Sequence, residues 1–372
     1  MKIALNARVL ATQEIRGWSR YTVNLLEGLL NSNHEVFLFS DQPINQKLIP
    51  LGKSFCQLTV KAGKNYIDWE QRILAQLCRE HQIDVLHCPI NYGLPLLSNT
   101  KKVLTLHDAI EKAFYDQFKS TKDFLNFNHL KVRALHYASQ KAADKIITVS
   151  HHAKQDIVKE YGVSPDKIEV IYEGADRDFS TNNVISKEEL KKHFSQIQYP
   201  YFFYVGGLEK RKNIHFLINA WEEAKLDGYH LVIGGGKSEE ISALQKIAVA
   251  KGLNIYFLGY VSQELLPSLY AHAQAFIYPS LYEGFGLQLV ESMKMGTPVL
   301  CSNVTSLPEI LADESCTFNP MDTRELAQKI QLMTLEKFQK EKSQRVLIRS
   351  QDFSWDRAIK KTIQVYEDLA DI

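Results

Sequence analysis

Two glutamates, Glu283 and Glu291, frame a glycine turn within YPSLYEGFGLQLVESMKMGTPVLCSNVTSLPE, residues 278–309. They are the side chains best placed to do chemistry. Ala275 to Tyr278 are apolar enough for a short strand, and Pro279 to Tyr282 make a turn. Gly284-Phe285-Gly286 then leads into a helix that carries Leu287, Leu289, Val290 and Met293 and stops at Gly296 and Pro298. Glycines at a strand-to-helix turn let backbone N–H groups approach a ligand, and the helix N-terminus aims partial positive charge at the same place. An anion, most often a phosphate, belongs there. Glu291 lies two turns into the helix, on the order of 12 Å beyond Glu283. Carboxylates that far apart share no proton and do not face each other across one bond at the roughly 5 to 9 Å of a paired-carboxylate hydrolase. Each suits hydroxyl groups at one end of a long ligand whose anionic middle rests on the glycine turn. A nucleotide sugar has that layout.

Other groups fit such a ligand. Tyr204-Val205-Gly206-Gly207-Leu208-Glu209-Lys210-Arg211-Lys212-Asn213 runs strand, glycine pair, three cations and then an apolar helix. Arg would offer phosphate a two-pronged fork and Lys a point charge, although a cationic run on a solvated loop reads the same way in isolation. Gly17, in Arg16-Gly17-Trp18-Ser19-Arg20-Tyr21, follows the first strand and opens a helix bearing Leu25, Leu26 and Leu29. It serves a close backbone approach to a ligand or simply a tight turn. His107-Asp108 closes the apolar run from Val103 to Leu106, and a residue at the carboxyl end of a central strand points into the crevice of an open α/β sheet. A lone histidine there is more often structural. Gly259-Tyr260-Val261-Ser262 follows another strand, and the Tyr260 ring suits stacking on a base. Gly234-Gly235-Gly236 lacks the GxGxxG spacing, which argues against hydride chemistry. His87, His151 and His152 also sit at strand ends and read as structural or acceptor-side.

Glu283, seven intervening residues and Glu291, with GFG between them and GTPV after, resemble the signature of the family 4 (group 1) retaining glycosyltransferases of the GT-B fold. The resemblance implies transfer of a hexose from a nucleoside diphosphate sugar to a hydroxyl of a glycan or lipid-linked acceptor in polysaccharide or cell-envelope synthesis. UDP-glucose and GDP-mannose are the leading donors, the first slightly preferred. It also implies roles residue by residue. Arg211 and Lys212, at a matching Arg-Lys-Asn, hold the diphosphate in place of a metal ion. Gly17 faces that diphosphate across the cleft, with Ser19 where the family often carries a second glycine. His107 positions the donor sugar, Glu283 fixes its hydroxyls and Glu291 binds the ribose. Gly207 and the turn Gly284, Phe285, Gly286 and Leu287 meet the phosphates, and the backbone at Tyr260 and Val261 meets the base. Tyr172-Glu173-Gly174 stands where the family form is Pro-Asn-Gly, a departure assigned here to the hinge and acceptor side. Retention is implied to come from attack on the face of departure, with no enzyme nucleophile, metal or other cofactor. The rival readings are a nucleotide-sugar epimerase or phosphorylase on the same fold, and a catalytically silent nucleotide-binding scaffold.

These side chains need two scaffolds to hold them. Strand patterns at Lys2–Asn6, Glu35–Ser40, Gln57–Val60, Val85–Cys88, Val103–His107, Ile146–Val149 and Ile168–Tyr172 alternate with helical ones, as in a doubly wound sheet. A second series follows at Tyr201–Val205, His230–Ile233, Ile255–Leu258, Ala275–Tyr278, Pro298–Cys301 and Cys316–Phe318. The fold class is therefore α/β, with two Rossmann-like, doubly wound parallel-sheet domains facing across a cleft. Apolar periodicity lapses from about Asp176 to Ser186, which puts an acceptor-side domain at 1–180 and a donor-binding domain at 181–354. A last helix at 355–372 is implied by the resemblance to cross back to the first domain. Length supports this, since 372 residues exceed one ordinary core. A net charge of +1 with no basic face gives nucleic acid nothing to hold. No apolar run approaches the roughly 18 residues of a membrane span, and the start MKIALNARVL reads as a strand rather than a signal peptide. The expectation is a cytoplasmic protein, with peripheral contact at the inner face of the membrane left open. Cys56, Cys78, Cys88, Cys301 and Cys316 lack a CxxC pair, so buried thiols are expected rather than disulfides or a zinc site.

Overall fold

The computed structural model describes residues 1–12, 17–49, 56–114 and 127–371. Short runs rich in Val, Ile, Leu and Phe become parallel strands buried on both faces. Seven form the first sheet: β1 (Lys2–Asn6), β2 (Glu35–Ser40), β3 (Cys56–Val60), β4 (Val85–Cys88), β5 (Lys101–Thr105), β6 (Lys145–Thr148) and β7 (Ile168–Val170), in the order β3-β2-β1-β4-β5-β6-β7. Six form the second: β8 (Tyr201–Val205), β9 (His230–Gly234), β10 (Ile255–Gly259), β11 (Phe276–Tyr278), β12 (Val299–Ser302) and β13 (Thr317–Phe318), in the order β10-β9-β8-β11-β12-β13. Both sheets are parallel throughout, so the expected α/β class with two doubly wound sheets is what the chain adopts. In each sheet the strand order reverses once, between β1 and β4 and between β8 and β11. Ligands of open α/β sheets bind outside the carboxyl ends of the strands at such a reversal.

β5 departs from its expected bounds. It begins at Lys101 rather than Val103, because the ladder to β4 pairs Lys101 with Val85 and Lys102 with Leu86. The buried Lys102 is tolerated because its Nζ donates to Ser98 O at 3.0 Å and its backbone N–H to Asp144 Oδ2 at 2.7 Å. β5 also ends at Thr105, which leaves His107 in the loop just beyond it.

Met1–Glu173 together with Ser354–Ile372 make one compact unit, and Gly174–Phe353 the other. In the first, the period-2 alternation of β1 divides two cores: Ile3 and Leu5 face one side with Leu25, Leu26 and Leu29, while Ala4 faces the other with Trp69 and Leu74. The final helix, Trp355–Ala370, adds Ile359, Val365, Tyr366 and Leu369 to the first of these cores. It lies so close to the helix Gly17–Leu30 that a Cβ on Gly28 would fall 2.4 Å from Ile359 Cγ1. At its far end the Tyr366 hydroxyl meets His87 Nδ1 at 2.5 Å, and His87 Nε2 meets Thr105 Oγ1 at 2.8 Å. Burial pushes the His87 pKa down to about 3, so this ring is a neutral, structural one.

In the second unit the aromatic rings of Phe203, Tyr270, Phe276 and Tyr278 pack in succession along the sheet. Among the described residues no helix is long and apolar enough to cross a membrane. Cys78, Cys88, Cys301 and Cys316 are buried free thiols, and the side chain of Cys56 lies outside the described ones.

Candidate active site

β8 and β11 are neighbours at the reversal of the second sheet, and the loops that leave them converge. After β8 come Gly206 and Gly207, then a 3-10 turn at Lys210–Lys212 that ends on Asn213 in the left-handed conformation, φ 58°. Asparagine tolerates that region better than most residues, and its Nδ2 is pinned to Pro320 O at 3.0 Å. The turn throws Arg211 and Lys212 toward the loop that follows β11, and Leu281 N–H donates to Arg211 O at 2.8 Å to tie the two loops together.

There Glu283 accepts both cations on one oxygen: Arg211 Nη1 lies 2.7 Å and Lys212 Nζ 2.7 Å from Oε1. The three side chains retain only 14, 7 and 12% exposure respectively for Arg211, Lys212 and Glu283. Arg211 also reaches Tyr282 O at 2.8 Å and Glu209 Oε1 at 2.9 Å, while its Nε is buried with no hydrogen-bond partner. Lys212 Nζ donates to the Tyr278 hydroxyl at 2.8 Å, which donates in turn to Gln288 Oε1 at 3.0 Å.

Burial alone would raise the Glu283 pKa, but Lys212 and Arg211 beside it win and hold it at about 2. For Lys212 burial is the larger effect, and its pKa is lowered despite Glu283. Burial pulls on Arg211 in the same direction, but Glu283, Tyr278 and Glu209 outweigh it and keep the guanidinium firmly charged. Two cations are thus shared between Glu283 and the more exposed Glu209, a setting for an anion that competes with those carboxylates for them.

The glycine turn is held from behind. Glu283 N–H donates to Thr305 Oγ1 at 3.2 Å, and Ser306 Oγ lies 3.0 Å from Glu283 O and 2.9 Å from Phe285 O. Thr305 has φ 56°, an unusual conformation for a β-branched residue, and strain of this kind collects at functional sites. Gly286, at φ 98°, caps the helix Leu287–Lys294 and has Leu307 Cδ2 2.9 Å from where its Cβ would stand. A side chain fits neither the angle nor the space.

The structure brings Arg211, Lys212, Glu283, Gly284, Phe285, Gly286 and Leu287 together at the β8/β11 reversal. Gly207 joins them indirectly: a Cβ there would meet Glu209 Oε2 at 2.0 Å, the carboxylate that holds Arg211 from its other side. Glu291, in the helix behind the turn, is buried and accepts from the Tyr270 hydroxyl at 3.0 Å. Val261 is buried, and Tyr260 is 83% exposed just past the end of β10, the outer strand of the sheet.

Two sequence-selected residues belong to the first unit. Gly17 is exposed, its φ is not positive and its Cβ would meet open space, so neither strain nor crowding requires glycine there. Arg16 beside it lies outside the described residues. His107 is buried past β5: its N–H donates to Asn91 Oδ1 at 2.9 Å, its Nε2 lies 3.0 Å from Pro89 O, and its Nδ1 lies 3.4 Å from Glu173 Oε1.

Sequence reasoning set Glu173 on the hinge and acceptor side, whereas the structure sets it against His107. The visible signal was an acid where the resembled family has Asn. Glu209, Tyr278, Gln288, Thr305 and Ser306 were missed as supports of the site, and nothing in their local sequence marks them. Among the described residues no group of three or more His, Cys, Asp or Glu side chains converges as for a metal ion.

Comparison with known proteins finds matches over both units. Residues 15–179 match the family described as Glycosyltransferase Family 4, and residues 186–351 the one described as Glycosyl transferases group 1. The chain is 31% identical over 298 residues to O-antigen chain mannosyltransferase B of Escherichia coli, covering 78% of this chain and 76% of that one. It is 32% identical over 241 residues to O-antigen chain mannosyltransferase RfbU of Salmonella typhimurium, covering 64% and 62% respectively. Among solved structures, Anabaena HepE in complex with UDP and glucose superposes with a TM-score of 0.75 at 18% identity, covering 99% of this chain and all of that one, 100%.

Proposed function

The chain belongs to the group 1 glycosyltransferases, and from that premise we propose that it moves a mannosyl residue, with retention, from GDP-mannose to a hydroxyl of a glycan or lipid-linked saccharide. The observation that carries this reading is the meeting of Arg211, Lys212 and Glu283 at the β8/β11 reversal. Mannose is favoured over glucose because two relatives above 30% identity are named as mannosyltransferases. The likeness to a UDP-bound protein, at 18% identity, concerns the fold alone.

When the donor's glycosidic bond to phosphate breaks, negative charge grows on the leaving diphosphate. Arg211 and Lys212 then exchange part of their bonding from Glu283 to phosphate oxygens, and the N–H groups at Gly286 and Leu287 add helix-terminus dipoles. Such preorganised charge needs no metal ion to do this work, so a chelator should leave the rate unchanged. Glu283, once shared, has lone pairs to offer the hexose hydroxyls, and Glu291 those of the ribose. His107 positions the sugar, and Gly17 supplies backbone to the ligand. Gly207 keeps Glu209 over Arg211, and Tyr260 and Val261 line the base.

The deciding experiment is a panel of nucleotide sugars, read by thermal stabilisation and by nucleotide release with and without acceptor saccharides. Acceptor-dependent release from GDP-mannose supports the proposal. Release or isomerisation without acceptor would favour the epimerase or phosphorylase reading, and binding without turnover the scaffold.

A further inference from the structure

Among the described non-glycine residues with positive φ, which are Gln82, Asn213, Lys225, Thr305 and Ala312, Thr305 alone is β-branched. At φ 56° its side chain crowds its own backbone, so the conformation persists only where the surroundings enforce it. Contacts on both sides do so. Asn303, two residues before, donates its N–H to Phe318 O at 2.7 Å, at the end of the ladder between β12 and β13. Leu307, two residues after, is fully buried, with Cδ2 2.9 Å from where a Cβ on Gly286 would stand. Arg349 then holds Glu309 O at 2.8 Å and Ile310 O at 3.0 Å.

The enforced bend aims two successive hydroxyls at one turn. Thr305 Oγ1 accepts from Glu283 N–H at 3.2 Å. Ser306 Oγ, fully buried, donates one hydrogen shared between Glu283 O at 3.0 Å and Phe285 O at 2.9 Å. Glu283 is therefore anchored at both its N–H and its C=O, which fixes the root of the side chain that meets Arg211 and Lys212. The two tethered carbonyls also set peptide planes. A trans peptide is flat, with its N–H opposed to its C=O, so the N–H groups of Gly284 and Gly286 are turned away from Ser306. That of Gly286 adjoins the start of the helix Leu287–Lys294, where the helix dipole reinforces it.

We propose that Thr305 and Ser306 are positioning residues for the transfer step, their hydroxyls orienting the Glu283 carboxylate and the amides of the glycine turn toward the charge that develops there. This rests on the reading of Glu283 and that turn as the groups that meet the donor, and it assigns a role to residues that touch no substrate. Among the described residues neither hydroxyl is bonded to Arg211 or Lys212. The cations can therefore hold a diphosphate in the ground state whether or not the turn is well aimed. Stabilising charge as it grows depends on aim, and a misplacement of about 1 Å costs on the order of 10²-fold. The two residues thus act on kcat more than on binding.

The test uses the full chain and reads nucleotide release from GDP-mannose, with UDP-glucose in parallel and acceptor saccharides present, together with calorimetric binding of GDP and UDP. Thr305→Gly accepts the backbone angle and removes the hydroxyl. It should melt within a few degrees of the parent, yet lose about tenfold or more in kcat. Its donor KM and its affinity for the free diphosphate should stay within about threefold of the parent's. Thr305→Ser, which keeps the hydroxyl, should recover most of that loss, and Ser306→Ala should reproduce it. In a Glu283→Gln background Thr305→Gly should cost less than about threefold more, because a hydroxyl that acts through Glu283 has little left to act on. A Thr305→Gly protein with the parent's kcat, a loss that Thr305→Ser does not recover, or a loss repeated in full in the Glu283→Gln background overturns the positioning role and spares the reading of the site. A Glu283→Gln protein as fast as the parent removes that reading, and the positioning role with it.

Discussion

The carboxylate of Glu283 is held by two buried cations, and that arrangement makes its protonation a lever on stability. Its folded pKa, about 2, lies below the ordinary 4.5. The contribution is therefore fully present above pH 4.5 and is lost as pH falls from there toward 2. Glu283→Gln should remove that part of the acid-unfolding slope, and the neutral variant, leaving Lys212 without a carboxylate and Arg211 with Glu209 alone, should be less stable at pH 7 by about 3 kcal/mol. A parent and variant with the same pH profile of urea unfolding would contradict this. Transfer should fall by at least about 10²-fold in Glu283→Gln, measured as nucleotide release. A nucleoside diphosphate should raise the melting temperature of the variant more than that of the parent, because phosphate then takes the place of the missing carboxylate. Lys212→Ala should weaken binding of the free nucleoside diphosphate, and calorimetry showing unchanged affinity would refute a phosphate role. Spacing alone was enough to select Glu283, Arg211 and Lys212. That they bond to one another was illegible, because the partners lie 72 and 71 positions apart along the chain and nothing local couples them.

Among the elements, the strands were the most readable part of the chain, since a parallel strand buried on both faces leaves a run of apolar residues with little alternation. The shifted start of β5 shows the limit: pairing with β4 recruits two lysines whose polarity argues for a loop. The helical stretch after β3 shows another. Trp69–Ile73 is a π-helical turn, a form that composition does not announce, and it carries the fully buried Glu70. Burial raises the Glu70 pKa; bonds from Tyr66 and Gln71 and the charge of Arg8 oppose it, and the outcome is about 7. The folded state therefore binds a proton more tightly than the unfolded one, so this stabilisation is full below pH 4.5 and disappears as pH rises through 7. Glu70→Gln should flatten that decline and be more stable than the parent at pH 8 by up to about 3 kcal/mol, as chemical denaturation at pH 5 and pH 8 would reveal. Where the helices Gly17–Leu30 and Trp355–Ala370 touch, Gly28→Ala should cost about 1–3 kcal/mol because its methyl meets Ile359. Ile359→Ala in the same chain should recover at least about 1 kcal/mol of the sum of the two single losses, and strict additivity would refute the contact.

At the scale of the whole molecule, the chain leaves its first unit at Glu173 and returns to it at Ser354. Truncation after Phe353 should therefore strip Tyr366 from His87 and unfold the first unit while the second still melts cooperatively. Trp18 and Trp69 report the first unit and Trp221 the second, so fluorescence of single-tryptophan variants would separate the two transitions. One shared transition would show that the final helix is not what holds the first unit together. The sequence by itself determined the α/β class, the two sheets, the glycine turn with its flanking glutamates and the cationic run, because each is written in a local pattern of apolar periodicity, turn residues or charge. Only the tertiary structure decided that Arg211 and Lys212 close on Glu283, that Thr305 and Ser306 brace the turn, and that Glu173 meets His107. The physical reason is that these contacts are fixed by strand order and loop geometry, which set distant residues side by side without leaving a mark in the neighbourhood of either one.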